Sequence, residues 1–92
     1  MKAQKMSPGQ RAALLGWLTR WIKKTRSEYG QYMYYEAAER SYNAAAANRH
    51  RKAYQAADQR VVALLEQLDL TLPEGWIYSK QTAAEMFGKA TS

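Results

Sequence analysis

Between Gly30 and Pro73 the chain contains nothing that strongly stops a helix. Gly30 is the last strong punctuation before that proline, and the alanine, glutamate and arginine in between favour helix, so residues 31–69 read as helical throughout. As one continuous helix the segment is about 57 Å long at ~1.5 Å per residue. A compact domain of this size has a radius of gyration near ~12 Å. Such a helix must therefore protrude, break or meet another chain. Asn43 and Asn48, which bracket Ala44 to Ala47, are the expected break points.

On the N-terminal side, Met1 to Met6 reads as a flexible basic arm and residues 7–92 as a single helical domain. Ser7-Pro8-Gly9-Gln10 supplies an N-cap serine, a proline at the first helical position and a glutamine that completes a capping box. In the helix that follows, Leu14, Leu15, Trp17, Leu18, Trp21, Ile22 and Tyr29 share an arc of about 160° and form a core face. Arg20, Lys23, Lys24 and Arg26 spread over the opposite side. In the long segment, Ala53, Tyr54, Ala57, Val61, Leu64, Leu65 and Leu68 fall in an arc of about 120° that needs a cover. The tail offers one in Trp76, Ile77, Tyr78, Met86 and Phe87. Leu72-Pro73-Glu74-Gly75 is a turn by composition. Ser79 is placed to cap a short last helix ending at Gly88, and Thr82-Ala83-Ala84-Glu85 offers a second capping box within it. The expected fold is all-α: a small helical hairpin or a three- to four-helix bundle, with a long central helical segment and a short C-terminal helix.

The chain contains no cysteine, so disulfides and thiolate metal sites are excluded. No stretch approaches the ~20 apolar residues of a membrane span, the N-terminal run is too short for a secretory leader, and a cytosolic setting without membrane contact is expected. Lys and Arg outnumber Asp and Glu by 14 to 8, for a formal charge of +6. That excess favours an anionic partner, though charge bears on association and not on fold.

Catalytic signatures are lacking. The lone histidine, His50, sits among Arg49, Arg51 and Lys52 without the Glu-x-x-His spacing of helical metal sites. It reads as a groove or surface residue whose cationic neighbours favour the neutral form. Glu36 pairs naturally with Arg40 four residues on, and nothing indicates a pocket with convergent polar groups. A non-enzymatic protein with no metal or cofactor is expected.

The stretch from Tyr29 to Tyr42 holds five of the seven tyrosines. Placed on one helix with Tyr54 at zero, Tyr29 falls at about 20°, Tyr32 at about 320°, Tyr35 at about 260°, Tyr42 at about 240° and Tyr34 at about 160°, surrounding the axis. One core cannot cover them all. Tyr34, Tyr35 and Tyr42 fall in the same sector as Arg49, Lys52 and Arg60, and with Arg51 they compose an arginine-rimmed aromatic surface of the kind found at protein interfaces. The leading expectation is thus a stoichiometric inhibitor or adaptor that engages a larger protein or nucleoprotein through Tyr34, Tyr35, Tyr42, Arg49, Arg51 and Lys52. The alternative is a nucleic-acid-binding accessory protein using Arg20, Lys23, Lys24, Arg26, Arg49, Lys52 and Arg60, with bases on rings and cations on phosphates. A third reading is a homodimer in which the uncovered long helix pairs with its twin. Lys80 to Gly88 resembles the first helix and turn of a helix-turn-helix, but the four residues that follow are too few for a recognition helix.

Overall fold

The computed structural model describes residues 6–37 and 43–87. Helix α1 spans Pro8–Ala37 and helix α2 Ala44–Leu68; after a loop, a single 3₁₀ turn at Trp76–Tyr78 leads to the short helix α3, Ala83–Phe87. The fold is all-α, with no strand among the described residues. None of the described helices is long and apolar enough to cross a membrane.

The capping box at the start of α1 forms in both directions. Ser7 N–H donates to Gln10 Oε1 at 3.1 Å, and Gln10 N–H donates to Ser7 Oγ at 3.2 Å. Met6, assigned to the arm from sequence, packs against the core instead. The helix does not stop at Gly30. A mid-helix glycine costs only about 1 kcal/mol relative to alanine, and the packed face of α1 outweighs it. Consequently residues 31–69 are not one helix: residues 31–37 belong to α1, and α2 starts afresh. Its N-cap is Asn43, one of the two expected break points, whose extended backbone (φ −152°, ψ 102°) lets Oδ1 accept from Ala46 N–H at 2.9 Å. Asn43 N–H in turn donates to Tyr35 O at 3.1 Å, tying the start of α2 to the end of α1.

At the far end, Asp69 adopts the left-handed conformation (φ 56°). Asp69 N–H donates to Glu66 O at 3.3 Å and Leu70 N–H to Leu65 O at 3.0 Å, the paired bonds that close a helix and turn the chain. The chain then returns along α1. Leu18, Ile22, Val61, Leu68, Ala83 and Phe87 form the buried core, flanked by Leu14, Leu15, Trp21, Leu64, Leu65, Trp76 and Met86. Thr25 is buried with them, its hydroxyl donating to Trp21 O at 2.7 Å. Ala46 and Ala47 are buried as well, small enough to bring α2 close against α1.

α1 covers the apolar stripe of α2. Trp17, expected in the core, is 50% exposed because it sits at the edge of the arc centred on Leu18 and Ile22. The second capping box, not Ser79, starts α3: Thr82 N–H donates to Glu85 Oε1 at 2.8 Å and Glu85 N–H to Thr82 Oγ1 at 3.1 Å. Ser79 Oγ accepts from Gln81 N–H at 3.0 Å and closes a tight turn before it.

Candidate interaction surface

Chain reversal between α1 and α2 divides the described tyrosines into two groups. Tyr29 and Tyr32 on α1, Tyr54 on α2 and Tyr78 on the 3₁₀ turn meet as a cluster, with Tyr29 at its hub. Its ring lies 5.1 Å from Tyr54, 5.6 Å from Tyr78 and 6.2 Å from Tyr32. Tyr32 and Tyr54 stack at 5.7 Å. The Tyr29 and Tyr78 hydroxyls are 3.1 Å apart. That hydrogen bond, with lesser help from burial and from the neighbouring phenols, pushes the Tyr29 pKa up to about 12. These four rings hold α1, α2 and the return segment together.

The second group lies at the hairpin end. The Tyr35 ring stacks on His50 at 5.6 Å and within 5° of parallel, and Tyr34 meets Tyr35 edge-on at 5.1 Å. Tyr34 is 55% exposed and Met33 is exposed beside it. His50 Nδ1 is 2.6 Å from Glu28 Oε1, while Lys24 Nζ donates to Glu28 Oε2 at 2.8 Å. These two bonds, Lys24 first, hold the Glu28 carboxyl below its ordinary range against the opposing effect of burial. A carboxylate 22 residues away in sequence thus faces His50 across the helix pair. Arg49 and Lys52, which flank His50 in sequence, are exposed, and Arg51 donates to Asn48 Oδ1.

The residues expected to share one sector of a single continuous helix are, among the described residues, divided between two helices. Tyr34 and Tyr35 are on α1, Arg49 and Lys52 on α2, and Tyr42 lies outside the described residues, as does Arg40. Arg60 is ten residues beyond His50, about 15 Å along α2, where its guanidinium sits 5.7 Å over the Trp21 ring. Arg20 likewise sits 5.1 Å over the Trp17 ring.

Arg26, expected on the open basic face, turns inward. Its Nε donates to Trp76 O at 2.9 Å and one Nη to Gln81 O at 2.6 Å, with Met86 Sδ 3.9 Å from the other. The Trp76 ring lies beneath it at 5.8 Å. Burial lowers its pKa from the ordinary arginine value. Lys23 and Lys24 are exposed as expected, Lys24 in its ion pair with Glu28.

Sequence reasoning passed over Glu28 and Lys80. The Lys24 to Glu28 spacing of four is a legible helix pair. Nothing in the sequence signals that the carboxylate also meets His50, or that the turn after Tyr78 brings Lys80 beside α1. No group of three or more His, Cys, Asp or Glu among the described residues is arranged to hold a metal ion. No protein-family model matches the chain, and neither characterised proteins nor solved structures include a significant match.

Proposed function

We propose that this chain is a non-enzymatic binding protein that engages a larger protein through the hairpin end of α1 and α2, acting stoichiometrically as an inhibitor or adaptor. The observation that supports this reading is the stack Tyr34, Tyr35, His50. A 55% exposed ring is held edge-on by a second ring, and that ring is itself held by a paired imidazole. Tyrosine brings large contact area with little side-chain entropy to lose, and a pre-positioned ring loses less still. Arg49, Arg51 and Lys52 supply the polar rim.

The test is affinity capture from the source cell with wild-type and Tyr34→Ala bait, followed by titration against the captured partner. Tyr34→Ala should weaken binding by about 2 kcal/mol or more with the helical circular dichroism unchanged. Tyr35→Ala should do the same, with some loss of stability because its ring also supports His50. Unchanged affinity in both variants would overturn the reading.

One observation favours a second reading, nucleic-acid binding along the middle of the hairpin: Trp17 and Trp21 each lie under an arginine, with Lys23 and Lys24 exposed nearby. Anisotropy of labelled oligonucleotides at about 50 and 200 mM salt separates the two readings. Binding that persists at the higher salt and loses salt dependence on reversing Arg20 and Arg60 supports the second.

A further inference from the structure

Where the return segment crosses α1, it leaves a cleft of about 230 Å³ lined by Thr19, Ile22, Lys23 and Arg26 from α1 and by Lys80 to Ala83. That is about the space of eight waters at ~30 Å³ each. Its lining carries three cations, Lys23, Arg26 and Lys80, and none of its lining residues is acidic. The composition is unlike that of the larger groove beside α2, of about 500 Å³, which includes Glu66 and Asp69.

Among the described residues no carboxylate pairs with the charge in this cleft. The ion pairs among the described residues are Lys24 with Glu28 and His50 with Glu28, and neither involves a cleft residue. All three hydrogen-bond acceptors of Arg26 are neutral, two carbonyls and a thioether, so its geometry is fixed while its charge stays uncompensated. The nearest carboxylate of α3, Glu85, is engaged with Thr82 N–H. Thr19 donates its hydroxyl proton to Leu15 O and has none left to offer. Thr82 differs, since its oxygen accepts from Glu85 N–H and its own proton remains available to a ligand.

We propose that this cleft binds a compact phosphate group, with Lys23 and Lys80 closing on it from α1 and from the return segment. Arg26 supplies a fixed positive floor and Thr82 Oγ1 a neutral donor. Two ammonium groups on different segments suit a tetrahedral dianion, which accepts from several directions at once. A ligand held this way bridges α1 to residues 80–83, so occupancy stabilises the docked return segment by mass action. The site is separate from the hairpin end, and its success or failure does not depend on the protein-binding reading.

The experiment is a titration of the intact protein with inorganic phosphate at constant ionic strength, read by backbone amide shifts and by thermal unfolding, beside the Lys23→Ala/Lys80→Ala double variant. Phosphoserine and a short single-stranded oligonucleotide serve as further arms. The expected result is saturable, millimolar or tighter binding of phosphate and of the phosphomonoester. It should centre on the amides of Lys23 and Thr82, weaken at least tenfold in the double variant, and remain unchanged in Tyr34→Ala. A non-saturable rise in unfolding temperature shared by wild type and double variant is general salt stabilisation and overturns the proposal. Binding of the oligonucleotide without any response to phosphate or phosphoserine also overturns it, assigning the lysines to a nucleic-acid backbone. If the double variant loses helical signal, Lys23→Gln alone, on the exposed face of α1, replaces it under the same criterion.

Discussion

Tyr29 sits where three segments meet, and its hydroxyl reports on all of them. Because its pKa is raised to about 12 chiefly by the bond to Tyr78, the folded state keeps this proton at a pH where the unfolded chain, near 10, has lost it. The unfolded state then binds fewer protons, so stability falls as pH rises from about 10 and levels off past about 12. Absorbance titration should show one phenol ionising about two units late, and Tyr78→Phe should bring it back toward the ordinary value. Urea unfolding across that range should show a shallower alkaline decline in Tyr29→Phe than in wild type. A late phenol that survives Tyr78→Phe would mean that burial, and not the hydroxyl pair, sets the shift.

At the scale of elements, both long helices carry residues that helix propensity argues against, and packing overrides them. Gly16 and Gly30 lie within α1, and a Cβ built on either meets no atom within 4 Å. Gly16→Ala and Gly30→Ala should therefore each stabilise the protein by about 0.5 to 1 kcal/mol in denaturant melts, with unchanged helical signal. The same override explains what could and could not be read from the sequence. Capping boxes at Ser7 and Thr82 and the leucine stripes are local patterns and were legible; Asn43 was legible as one of two break points, and its role as the N-cap of α2 was not. That α1 runs past Gly30 was not legible, because the packing of its face against α2 outweighs the cost of a mid-helix glycine. The sector that joined Tyr34 and Tyr35 to Arg49, Lys52 and Arg60 did not carry over, since a helix-wheel argument holds only within one helix and these residues lie on two. Arg26 was misassigned because its acceptors lie 50 and 55 residues away. Of the candidate surface, Tyr34 and Tyr35 were legible as rings that one core cannot cover; the His50 and Glu28 support beneath them was not.

The whole molecule is elongated, 50 × 23 × 19 Å, with a radius of gyration of 15.4 Å where a compact chain of this length has about 12 Å. Two long helices side by side bury little, and the largest fully buried side chains are Leu18, Ile22, Val61 and Thr25. The short α3 therefore matters more than its five residues suggest, because Phe87 fills the core from the third side. Phe87→Ala should cost about 3 to 5 kcal/mol, a large share of the ~5 to 15 kcal/mol a small domain has. Denaturant melts should show the midpoint falling steeply, and a shift under about 1 kcal/mol would mean that the hairpin stands without its cover.

The Arg26 tie to the return segment also has a meaning in time. α1 and α2 can zip together from their turn outward by closing short loops, whereas Arg26 reaches acceptors 50 and 55 residues further along the chain. During synthesis the N-terminal parts emerge first, so the residues of both long helices emerge before Phe87 does. Through that interval the nascent hairpin shows the apolar side of Leu18, Ile22, Val61 and Leu68 to its surroundings. The return segment, in addition to stabilising the finished fold, ends the period in which a newly made chain is open to sticking to its neighbours.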